Sequence, residues 1–126
     1  MAVDFELLAR KALLLKNRAD SLKNNIPSKA PIGVGEQIAD QYNKLMEDSK
    51  SVLYEDEAFK NSIDHLPKIS YNYLPSGQST GRGISAVWPA TDNTKQICSQ
   101  VKIGLAEIVA SLSTFVELHL STNQGN

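Results

Sequence analysis

The sequence predicts a mainly α fold: an antiparallel bundle of three to four helices, with an extended glycine-rich crossover before the last helix. Three observations lead there. Apolar residues recur in steps of three and four over long stretches, the spacing of one helix face. Prolines and glycines gather at 27–35 and 75–89, where those patterns stop. Residues 69–73 and, less cleanly, 84–88 alternate with period two, so at most one short β-hairpin is expected.

The first helix is read over 3–26, where Phe5, Leu8, Ala12, Leu15, Ala19, Leu22 and Ile26 form the apolar seam. Asp4 and Glu6 suit the positive end of its dipole and Lys23 the negative end. Pro27 stops it, because a residue before proline avoids the helical region. Leu7 and Leu14 widen the apolar face, and Leu13 points roughly opposite to it. After the Pro/Gly loop a second helix runs to Leu53, with Ile38, Tyr42, Leu45, Ser49 and Val52 on its seam. A third, shorter helix is expected from Glu55 to Leu66, either separate or continuous with the second, and Pro67 ends it.

The crossover holds Ile69-Ser70-Tyr71-Asn72-Tyr73 and Ile84-Ser85-Ala86-Val87-Trp88, with the polar glycine-rich loop 75–83 between them. Thr91 or Asp92 caps the last helix, which reads from Asp92 to Thr122. Cys98, Val101, Leu105, Ile108, Leu112 and Phe115 make its seam, the most regular in the chain, and Leu105, Ile108 and Leu112 should be nearly fully buried. Residues 1–126 are read as one helical-bundle domain, its polar tail either frayed or the cut edge of a longer protein.

Composition narrows the function classes. A chain of 126 residues with 41% hydrophobic and 21% charged residues is globular, and its net charge of −1 supplies no general attraction for nucleic acid. Glu107 and Glu117 interrupt the richest apolar stretch, which disfavours a membrane span. No secretory signal is legible, so a cytoplasmic setting is expected. The single cysteine, Cys98, excludes an intrachain disulfide and a multi-cysteine zinc site. Charge is uneven: residues 1–29 carry net +3 and residues 36–66 net −5, a basic first helix beside an acidic second.

No catalytic signature, metal-ligand spacing or cofactor motif is visible, so an enzyme ranks third among the readings. His119 continues the apolar seam of the last helix and is read as a histidine at the end of the core. Tyr71, Tyr73 and Trp88 are three of the eight aromatics and lie in the irregular crossover; they either pin it to the core or anchor an interface. The leading expectation is therefore a protein-interaction, scaffold or regulatory assembly module. It is expected to form a homodimer through Leu7, Leu13, Leu14, Tyr71, Tyr73, Trp88 and Ile103. The alternative is a small-ligand or nucleotide/phosphate-binding domain that uses Gly81, Arg82 and Gly83, although the loop lacks the spacing and lysine of a phosphate-binding loop.

Overall fold

The computed structural model describes residues 3–81 and 83–120. It contains three long helices, α1 (Phe5–Asn25), α2 (Val34–Leu53) and α3 (Thr94–His119). Between α2 and α3 lie four short strands, β1 (Tyr73–Leu74), β2 (Gly77–Gly81), β3 (Ile84–Trp88) and β4 (Thr91–Asp92). The mainly α bundle with a glycine-rich β crossover is thus the observed architecture.

Each helix follows from its local chemistry. Asp4 caps α1, its Oδ1 accepting from the Leu7 N–H at 3.1 Å. On the inner face of α1, Ala9, Ala12 and Ala19 are fully buried alongside Leu15 and Leu22, so the helix presents little bulk toward its neighbours. Gly33, at φ +94°, turns the chain into α2. Ile97, Val101, Leu105, Ile108, Leu112 and Phe115 of α3 are all buried and join one continuous apolar cluster with α1 and α2.

The helix directions can be read from paired residues. Lys11 and Leu15 lie beside Ser51 and Val52, and Leu22 and Asn25 beside Asp40 and Gln41, so α1 and α2 run antiparallel. Phe5 at the start of α1 stacks on His119 at the end of α3, with ring centroids 4.5 Å apart. Gly35 and Thr94, near the starts of α2 and α3, share a hydrogen bond, so these two helices run parallel. The return leg between them is segment 54–72. It begins at the far end of α3, where Asp56 pairs with His119. It passes His65 beside Glu107 and Ile69 beside Asn43, and reaches Asn72 beside Asn93. Successive legs of the chain therefore alternate in direction, and the third leg is not a helix.

The short helix expected over 55–66 is replaced by consecutive turns, with i→i+3 bonds such as Phe59 N–H to Asp56 O and Leu66 N–H to Ile63 O. The Asp56 carboxylate accepts from the Ala58 N–H at 2.9 Å, a local bond that competes with helix formation. The apolar expectation for this segment holds nonetheless: Phe59, Ile63, Leu66 and Ile69 are buried. Asn43 fastens its end to α2 by both amide atoms, accepting from Ile69 N–H at 2.9 Å and donating to Ile69 O at 2.7 Å.

The strands form one arm. Tyr73 pairs with Asp92 and Leu74 with Thr91; then Gly77 pairs with Trp88 and the ladder continues to Gly81 with Ile84. Both ladders keep a single antiparallel register, interrupted where Pro75 and Pro89 approach the same rung region. Proline has no N–H to give a ladder, which accounts for the gap. The hairpin therefore lies further along the chain than the alternation of 69–73 suggested, and 77–81 is strand where a loop was expected. Gly83, at φ +79°, takes a left-handed conformation just before β3.

Candidate functional site

The base of the arm is a polar cluster. Two helices that run parallel bring their N-termini side by side, and Asp92 sits between them. Its Oδ2 accepts from the Gly33 N–H at 2.7 Å and from the Tyr71 hydroxyl at 2.8 Å; its Oδ1 accepts from the Thr94 N–H at 3.0 Å. One carboxylate thus serves the first turns of both α2 and α3, where a negative charge also complements the dipoles. The Thr94 hydroxyl, fully buried, accepts from the Gly35 N–H at 3.0 Å. Desolvation works against ionisation of Asp92, but the Gly33 and Thr94 amides and the Tyr71 hydroxyl outweigh it and hold the carboxyl at about 2. Tyr71 moves the other way: desolvation, then its bond to Asp92, push the phenol up to about 12. The arrangement is a latch between the arm and the bundle, and every polar group in it is already matched.

Above the latch the arm carries apolar side chains into solvent. Tyr73 and Leu74 are exposed, Val87 is 75% exposed and Trp88 40%. The strands make their substantial contacts with one another rather than with any helix. Of the three crossover aromatics only Tyr71 packs against the core; Tyr73 and Trp88 do not cover it. Gly77 lies opposite Trp88, and a Cβ there would stand 2.6 Å from the indole Nε1, so the glycine is needed for the ring to lie across the ladder. Gly81 ends β2 and Gly83 makes the turn, which accounts for both as hairpin residues. Arg82, the third residue of the expected anion site, lies outside the described residues.

The helices leave further apolar surface. Leu7 and Leu14 do not widen the core; they are exposed, Leu14 at 65%. Leu13 and Leu118 are also exposed, and Ile103, on the back of α3, is 68% exposed. Leu14 flanks an open groove between α1 and α2. Its larger part, about 710 Å³, is lined by Leu14, Leu22 and Leu45 with polar walls that include Arg18, Asp40 and Lys44. A contiguous part of about 330 Å³, sharing Leu14 and Arg18, continues past Lys11 to Ser51 and Val52. Arg18 donates to Asp48 at 2.8 Å at the junction of the two parts. Sequence reasoning found the leucines but not the groove, because the groove exists only once α1 and α2 are set antiparallel.

Both histidines pair with carboxylates, and His119 is also packed. His119 lies between Phe5 and Phe115 and meets Asp56 at 2.6 Å. Burial opposes ionisation of Asp56, yet the Ala58 N–H and His119 hold it below the usual carboxylate range. His65 meets Glu107 at 2.8 Å on the surface. Cys98 is a buried free thiol. Among the described residues, no group of three or more His, Cys, Asp or Glu is placed to hold a metal ion, and no helix is long and apolar enough to cross a membrane. No known protein family, characterised protein or solved structure matches the chain.

Proposed function

We propose that the chain is a protein-interaction module of scaffold or regulatory character, and that it self-associates. The observation that carries this reading is where the surplus apolar side chains go. The core closes over the helix seams, and Tyr73, Leu74, Val87 and Trp88 on the arm, with Leu7, Leu14 and Ile103 on the helices, are left in water. Large apolar groups gathered on a projecting element are typical of surfaces that bury against another protein. The arm also offers the unpaired outer edges of a two-stranded ladder, and such edges accept a further strand. A cytoplasmic setting belongs to the same reading.

Sedimentation equilibrium over about a hundredfold range of concentration tests self-association by mass action. The average mass should rise above that of the 13.8 kDa chain. A constant 13.8 kDa species throughout would end the proposal. Trp88, the single tryptophan, reports on the arm separately: its emission shifts to the blue when a partner covers it.

A further inference from the structure

The groove between α1 and α2 has a feature that the other exposed patches lack: its two walls are complementary to each other. Helix α1 carries five cations (Arg10, Lys11, Lys16, Arg18, Lys23) against two carboxylates, and α2 carries four carboxylates (Glu36, Asp40, Glu47, Asp48) against two cations. On the groove itself Lys11 and Arg18 stand on the α1 side, and Asp40 and Asp48, with Lys44, on the α2 side. The floor between them is apolar, made of Leu15, Leu22, Leu45 and Val52. Leu14 stands on the α1 rim, and Leu7, seven residues earlier, falls on the same face of that helix, with Lys11 and Arg18 four residues after each. That is the repeat of a helix that packs along another helix. The return leg 54–72 does not cover this face, since it docks on α2 through Asn43 and on α3 through Phe115 and Glu107.

We infer that a second copy of the chain fills this groove, related by a two-fold axis that runs along it, so that α1 of each protomer lies over α2 of its partner. Two faces built from one pair of antiparallel helices can meet by a two-fold axis in only two ways. An axis across the helices would set α1 on α1, cations against cations, and α2 on α2. An axis along them sets the basic helix on the acidic one twice, and Coulomb energy selects it. In that arrangement residues at the same height face each other. Arg18 and Asp48 are at the same height within one chain. Each Arg18 therefore also faces the partner's Asp48 across the axis, and each Leu14 enters the partner's groove. The occupant needs no second gene product, since the chain supplies the leucine stripe, the apolar floor and both signs of charge.

This inference rests on the self-association proposed above, and the test separates the two. The full chain, Leu14→Glu, Leu118→Glu and Arg18→Ala are compared by sedimentation equilibrium, with denaturant melts to show that each is folded. Leu14 and Leu118 are both exposed, and Leu118 lies on α3, away from the groove, so neither change touches the core. A dimer that Leu14→Glu weakens by roughly tenfold or more, and Leu118→Glu leaves unchanged, supports the groove. Arg18→Ala reads the orientation: the dimer weakens if α1 lies on α2, and tightens if α1 lies on α1, which would overturn the arrangement. A dimer that withstands Leu14→Glu overturns the groove while leaving self-association in place. A chain that stays monomeric at all concentrations, including one whose groove takes a foreign helix, overturns both.

Discussion

Gly104 stands in the middle of α3 against the ring of Tyr42, and its substitution by alanine sets two effects of opposite sign against each other. In an exposed helix the change would stabilise, because glycine costs up to about 1 kcal/mol relative to alanine. Here the new Cβ would lie 2.6 Å from Tyr42 Cζ and 2.8 Å from Cε1, well inside van der Waals contact. Tyr42 is 1% exposed, so the ring has no open side to move into and α2 must shift away from α3. Overpacking of this kind costs typically about 1–3 kcal/mol, and ejecting the ring altogether would cost about as much as truncating a large core residue, roughly 3–5 kcal/mol. The collision involves two ring carbons, the phenol oxygen and the main separation of two helices, so the steric term should win, for a net loss of about 1–2 kcal/mol. Urea melts measure it as a fall in the midpoint at unchanged slope. Pairing the change with Tyr42→Phe removes the outermost clashing atom, so the double variant should lose less than the two single losses added together. A Gly104→Ala protein as stable as the parent, or more so, would show that α2 and α3 do not approach this closely.

Ile108 is fully buried on the same seam, and Ile108→Ala should cost roughly 2–5 kcal/mol in the same melts; a loss under about 0.5 kcal/mol would place it at the surface. Ser49 is fully buried on α2 with no partner for its hydroxyl, so Ser49→Ala should raise stability by about 1 kcal/mol, and a destabilised variant would reveal a bonded hydroxyl. Asp92 has a folded pKa of about 2, below the ordinary carboxyl value of about 3.9, so its contribution is present above about pH 4 and is lost as pH falls through about 2. Asp92→Asn should therefore lower Tm at neutral pH and flatten the acid limb of the Tm–pH curve between about pH 4 and 2; an unchanged acid limb would remove Asp92 from the latch.

The three long helices and the central core residues were legible because a 3.6-residue repeat marks both the conformation and the buried face. Leu105, Ile108 and Leu112 are 0–1% exposed, as their place in the seam required. The segment 55–66 shows where the repeat misleads: Phe59, Ile63 and Leu66 point inward as spaced, but the Asp56 side chain closes a turn of its own and the chain steps inward without a helix. Thr91 or Asp92 was expected to cap the last helix; the N-cap is Asn93, and Asp92, one residue before it, bonds the Thr94 amide. Its second bond, to Gly33, needs α2 and α3 to start side by side, and no local pattern carries that. Gly104 did leave a signal, an isolated glycine inside an otherwise strong helix, which usually marks a close neighbour. The groove left none, since its walls are ordinary polar positions on two separate helices.

The rung at Leu74 and Thr91 gives the arm an unusual freedom. Chain enters and leaves the outer hairpin through two residues that are already hydrogen-bonded neighbours. Whatever lies between them, from Pro75 to Ala90, can change length by paired residues without moving any end that the helices hold. The latch residues Tyr71, Asp92 and Thr94 all lie outside that interval. A version in which 75–90 is replaced by a two-residue Asn-Gly turn should keep the cooperative melt of the parent while losing Val87 and Trp88. The body and its appendage can thus vary independently, one under the demands of folding and the other under those of whatever it touches.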